Sequence, residues 1–247
     1  MLNDMLLFIA IGFAAQMVDG AIGMAYGITA STVLISFGVP PATASASIHA
    51  AEVFTTAASG TAHWRMGNVD RNLVIRLAVP GMLGGAAGAF VLAEVAGDQI
   101  RPIVSAYLLI MGAVIVWRAI WRDRSNRKAP KHVGFLGLVG GFLDAIGGGG
   151  WGAMVTTTLI GRGATARFAI GSANAAEFFV SAIVTATFIA TIGLSLWPVI
   201  AGLVIGGVLA APFAAYATKH LPDQPVMILV GVVVVLLSLR TLLMTLW

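Results

Sequence analysis

The chain has 247 residues, 59% hydrophobic and only 10% charged, with a mean hydropathy of +0.96, whereas soluble domains carry about 25% charged residues. This balance excludes a water-soluble globular domain, and the net charge of +4 sits mostly in short loops, where it orients a membrane protein rather than recruiting nucleic acid. The lack of cysteine excludes disulfide frameworks and thiolate metal sites, and four scattered histidines form no haem or zinc motif.

The amino-terminal run MLNDMLLFIAIGF has no basic region and no small-residue cleavage site, so it reads as a retained first segment rather than a removable signal. Residues 3–37 as one helix would be about 52 Å long, too long for one crossing of a roughly 30 Å core and too short for two. A break is therefore expected near VDGAIGMAYG (18–27), giving short helices 3–18 and 23–37. Beyond it, 41–63, 72–96 and 102–120 are each long enough to span. The basic segment 121–133 reads as a linker that can also touch anionic lipid. Then come a second broken pair, 135–143 and 151–160 around DAIGGGGWG, and the spans 168–190, 196–216 and 225–246.

A shift of 125 residues aligns the two halves without a gap. Gly12, Asp19, Gly23, Gly27 and Gly38 fall on Gly137, Asp144, Gly148, Gly152 and Gly163, and SIHAAEVF (47–54) falls on SANAAEFF (172–179). Fifteen of the 49 positions 12–60 are identical, and the rare acids Asp19, Glu52 and Asp98 all meet acids, which apolar composition alone does not explain. In the first half the loops alternate from uncharged (37–43) to basic (Arg65, Arg71), acidic (94–99) and strongly basic (121–132). In the second half they run basic (Arg162, Arg167), uncharged (191–196) and basic (Lys219, His220). Since short cytoplasmic loops hold Lys and Arg, the halves are read as inverted. Trp64, Trp117 and Trp121 then sit at inner helix ends, and Trp197 and Trp247 at outer ends.

The expected fold is an all-α integral membrane protein with two inverted-topology repeats. Each repeat is a broken, re-entrant-like helix hairpin followed by three transmembrane helices: residues 1–120, the linker 121–133, and residues 134–247. Inverted repeats are typical of secondary transporters, which bind cargo where discontinuous helices meet. Irregular backbone is tolerated at membrane depth only where it is buried or lines a cavity, and helix-start amides favour anions. Gly12, Gly84, Gly85 and Gly88 are read instead as close-packing residues.

These features resemble the TauE/SafE family of sulfite and organosulfonate exporters over nearly the whole chain. That family has a glycine-rich break early in each half, then a proline or small-residue turn and a helix rich in Ser, Thr and Ala. DAIGGGGWG is close to the pattern, while DGAIGMAYG has Met24 and Ala25 in place of the glycine cluster. The resemblance implies a multi-pass exporter of a small anion, sulfite or a sulfonate, in the cell (inner) membrane. Its partners are then the anion and membrane lipid, with a homodimer left open and no nucleic acid.

The residues expected to bind substrate are Gly20, Gly23, Tyr26, Ser47, His49, Gly147, Gly148, Gly149, Gly150, Trp151, Ser172 and Asn174. Asp19, Glu52, Asp144 and Glu177 lie at membrane depth, where a charge costs at least roughly 2.5 kcal/mol, and are read as coupling residues. Ser45, His49, Glu52, Thr56, Ser59 and His63 recur at helical spacing as a polar stripe facing a cavity. The competing readings are that Glu52 and Glu177 only cap the half-helix amides of the broken hairpins or bond neighbouring helices, and that Asp19 and Asp144 are helix N-caps. Asp98 with Arg101 reads as a solvated pair. A rival function is cation or metal transport on the four carboxylates and His49. No cofactor motif, resident metal motif or nucleophile–base constellation is present in the sequence, so neither a cofactor nor enzymatic activity is expected.

Overall fold

The computed structural model describes residues 2–22, 24–121, 132–162, 164–217 and 223–246. Gly23, Gly163, Trp247 and most of the basic linker thus lie outside the described residues. The elements in order are α1 (Leu2–Ile22), α2 (Tyr26–Ser36), α3 (Pro41–Arg65), α4 (Arg71–Glu94), α5 (Gly97–Ile120) and α6 (Val133–Gly147). A π-helical turn (Gly152–Thr156) runs into α7 (Thr157–Gly161), followed by α8 (Ala166–Thr191), α9 (Trp197–Ala217) and α10 (Asp223–Leu246). There is no strand among the described residues.

Local chemistry sets several of these ends. Asp70 accepts from the amides of Asn72 (2.9 Å) and Leu73 (3.2 Å) and starts α4. Pro41, with its fixed φ, opens α3. Gly148 ends α6 in the left-handed region at φ +67°, donating its amide to the Asp144 carbonyl.

Among the described residues, four helices are long and apolar enough to cross a bilayer: Arg71–Glu94, Gln99–Ile120, Phe168–Thr191 and Met227–Thr245. α3 has 25 residues, but its serines, threonines, His49 and Glu52 dilute its apolar character. The described apolar part of α9 is Trp197–Ala210. At 11 residues, α2 is about 16 Å long, half a crossing. The π-turn and α7 together match it in the second half.

The break positions differ from expectation. α1 does not stop at residue 18 but runs through Asp19 to Ile22, and α6 runs past residue 143 to Gly147. Ala21 and Ile22 tolerate a helix, so α1 ends only where Gly23 follows. In the second half, four successive glycines end the helix at the first of them.

α1 packs on α9 and α6 on α4, α3 packs on α8, and α5 packs on α10; α3 also touches α9, and α8 touches α4. Shifting by 125 residues turns α1 into α6 and α4 into α9, so each of these contacts maps onto another of them or onto itself. Several of the interfaces are backbone against backbone. A Cβ on Gly12 would lie 2.6 Å from the Leu203 carbonyl oxygen, and one on Gly137 would lie 2.5 Å from that of Leu77. Gly84 and Gly88 meet the carbonyls of Leu138 and Phe142 in the same way, and Gly85 meets the Val180 and Val184 side chains. Without a hydrophobic drive between helices in lipid, such close approach is a main source of cohesion.

Candidate functional site

The two chain interruptions touch. A Cβ on Gly27, at the start of α2, would lie 2.5 Å from the Gly149 Cα, 2.9 Å from the Gly148 carbonyl oxygen and 2.8 Å from Glu52 Oε1. Only hydrogen fits at position 27. Gly149 and Gly150 hold φ values of +135° and +143°, open to glycine alone. Ser31 donates to the Gly147 carbonyl and Ser45 to the Ala145 carbonyl, both at 2.6 Å, so α2 and α3 grip the end of α6.

Each incoming helix carries an aspartate in its last turns. Asp144 is fully buried, and its Oδ1 accepts the Trp151 amide at 2.8 Å, reaching across the glycines to the start of the next helical segment. Asp19 takes the Tyr26 amide in the same manner, and Tyr26 is the repeat mate of Trp151. Neither aspartate is an N-cap preceding its helix, as expected from the chain order. Each sits seven residues upstream and folds back over the break.

Asp144 Oδ2 faces His49 Nε2 at 3.2 Å, and Glu52 Oε2 stands 3.9 Å from the same nitrogen. His49 Nδ1 lies 2.8 Å from the Ser45 carbonyl oxygen, so that nitrogen carries a hydrogen and donates. The contact between Nε2 and Asp144 then requires one more proton, on the imidazole or on the carboxyl. His49, Glu52 and Asp144 offer ligand atoms within 4.8 Å of one another.

Beside this cluster is a small cavity with room for about one water molecule. Asp19, Glu52 and Glu177 line it with Tyr26, Gly27 and Gly150, and Ala25, Thr55, Thr56 and Gly152 complete the wall. Its charged lining is wholly acidic. Ser181 of α8 donates to Glu52 Oε2 at 3.4 Å, tying the two long polar helices together.

The other expected residues are placed as follows. Gly147, Gly148 and Gly149 form the second break behind the cavity wall, and Gly20 lies within α1. Trp151 is fully buried, packs on Gly81 and donates its indole N–H to the Ala173 carbonyl at 3.1 Å. Ser47 donates to the Thr43 carbonyl one turn back, and Ser172 accepts the Asp70 amide at 2.9 Å. Asn174 is buried but does not line the cavity. The stripe on α3 is buried from Ser45 to Thr56 and half-buried at Ser59 and His63. Arg101 donates to the Gly38 carbonyl at 2.7 Å, and the Asp98 side chain of the expected pair lies outside the described residues. Sequence reasoning missed Ser31, Thr55 and Tyr107, whose ring lies against Gly147 and Gly150. For Tyr107 the available signal was an aromatic hydroxyl inside a largely apolar span.

Helices of spanning length around two touching chain breaks and a polar cavity define a multi-pass membrane transporter. The chain matches the family described as Sulfite exporter TauE/SafE over residues 8–241. It is 38% identical to the "Probable membrane transporter protein YtnM" of Bacillus subtilis (strain 168), across 98% of this chain and 83% of that protein. No solved structure matches it. The chain belongs to the TauE/SafE sulfite exporter family.

Proposed function

We propose that this chain is a secondary transporter that exports a small anion, sulfite or an organosulfonate, across the cell (inner) membrane by alternating access. The observation that carries the reading is the abutment of Gly27 and Gly149, which puts two half-length helical segments and their glycine backbone at one point. Residues 1–120 and 134–247 act as inverted repeats joined by the linker 121–133; the exchange of helix contacts between the halves supports a two-fold relation, and the loop charges support its inversion. Tyr26, His49 and the glycines 147–150 surround the cargo, while Trp151, Ser47, Ser172 and Asn174 hold the surrounding helices. A homodimer is compatible with the exposed apolar helix faces.

Alternating access requires the two touching breaks to separate as the cargo passes. An anion also meets Asp19, Glu52 and Glu177, which repel it unless protons or a cation accompany it. The proton required between His49 and Asp144 makes proton coupling the favoured form. Asp144 also holds the Trp151 amide, so loss of that proton is felt at the break.

The His49–Glu52–Asp144 cluster favours a second reading, transport of a cation on those ligands. Proteoliposome flux of labelled sulfite, methanesulfonate and divalent cations separates the two. Saturable anion flux that is lost in Gly149→Val, with normal membrane insertion, is the expected result. Cation flux alone establishes the second reading. Anion flux unchanged in Glu52→Gln and Glu177→Gln removes these carboxylates from coupling.

A further inference from the structure

Tyr107 lies in the largely apolar α5, two residues beyond the buried Ser105, and its ring is seated on the second break. A Cβ at Gly147 would be 2.1 Å from Tyr107 Cε1, and a Cβ at Gly150 would be 2.2 Å from the Tyr107 hydroxyl oxygen. Two glycines thus make the space that the ring and its hydroxyl occupy. The hydroxyl oxygen is buried and has no hydrogen-bond partner among the described residues. Leaving a phenol O–H unpaired in a membrane interior is costly, and a phenylalanine would pack on the same glycines without that cost. Gly150 also lines the cavity, so the unpaired donor stands against a glycine of the cavity wall.

The repeat isolates this feature further. The first-half mates of Gly147 and Gly150 are Ile22 and Ala25, and the mate of Tyr107 is Val232. The hydroxyl and the glycine pocket that admits it, contributed by opposite halves, meet at the second break, and both are missing at the first. Close packing is needed in both halves, so packing alone gives no reason for the hydroxyl.

We propose that Tyr107 is a substrate-binding residue whose hydroxyl donates a hydrogen bond to an oxygen of the transported oxyanion when the two breaks part. This rests on the anion-export reading and adds to it a specific donor that orients the cargo towards the second break. A neutral donor suits a site already lined by carboxylates, because it holds an oxyanion without forming an ion pair with those acids.

The test is Tyr107→Phe in the full chain, reconstituted in liposomes, with sulfite and methanesulfonate as probes. The expected result is a rise of about tenfold in the half-saturation concentration for both anions, as loss of one hydrogen bond to a charged group gives. The thermal midpoint without anion stays level or rises, because the ring remains on its glycines and the cost of the unpaired hydroxyl is gone. Unchanged half-saturation overturns the role of Tyr107 and leaves the anion-export reading standing. A midpoint lowered without anion, with half-saturation unchanged, assigns the hydroxyl to structure and overturns the role as well. Wild-type protein that shows no saturable flux of either anion overturns the export reading and the ligand role together.

Discussion

Ala25 holds a φ of +93°, a region where a residue bearing a Cβ is strained by about 1–3 kcal/mol. Its repeat mate, Gly150, takes φ +143° without that strain. The first break therefore stores conformational energy that the second does not, and Ala25 also lines the cavity. Ala25→Gly is expected to leave the fold intact and to leave the thermal midpoint in detergent level or slightly raised, since relief of strain opposes the greater entropy loss of glycine. Ala25→Val is expected to lower the folded yield sharply, because a β-branched residue is far worse at positive φ. Equal midpoints and yields for the two variants would show that the break does not depend on this geometry. The strain was not legible in the sequence, where Ala25 is one alanine among many. The Asp19–Tyr26 and Asp144–Trp151 bridges were half legible: the repeat aligned all four residues and chain order suggested caps on the following helix, but not that each aspartate reaches it from inside the preceding helix, seven residues upstream.

Among the elements, α4 and α6 show what holds such a molecule together. A Cβ at Gly84 would fall 1.9 Å from the Leu138 carbonyl oxygen, while one at Gly134, in the first turn of α6, meets nothing closer than Pro80 Cγ at 3.6 Å. Gly84→Ala must push two backbones apart and is expected to cost about 2 kcal/mol or more. Gly134→Ala gains helix propensity of about 1 kcal/mol without a clash. Thermal unfolding in detergent should place the two variants on opposite sides of the wild type, and a stable Gly84→Ala would contradict the tight interface. The packing role of Gly84 was legible from the run of small residues in a span. The ends of α1 and α6 were legible only to within a turn, because a helix near a break stops where glycines accumulate rather than where the first acid appears. The partners of α3 were not legible at all. The contact of His49 with Asp144 joins residues 95 positions apart, and helical spacing carries no information about such pairs.

For the whole molecule the open question is which way each half faces. The exchange of α1–α9 with α6–α4 reports a two-fold relation between halves, and the loop charges argue that its axis lies in the membrane plane. An axis along the membrane normal would give the same helix contacts but put equivalent loops on one side. Met66 and Thr191 are exact mates under the 125-residue shift, and both are exposed at helix ends. The chain has no cysteine of its own, so single cysteines can be introduced without a background. With an inverted arrangement, Thr191→Cys in intact cells is labelled by a membrane-impermeant maleimide, and Met66→Cys is labelled only after the membrane is opened. Arg65 and Arg71 beside Met66 place that loop in the cytoplasm, whereas 191–196 carries no charge. Labelling of both positions from the same side would make the repeats parallel, and alternating access by exchange of inverted halves would have to be abandoned.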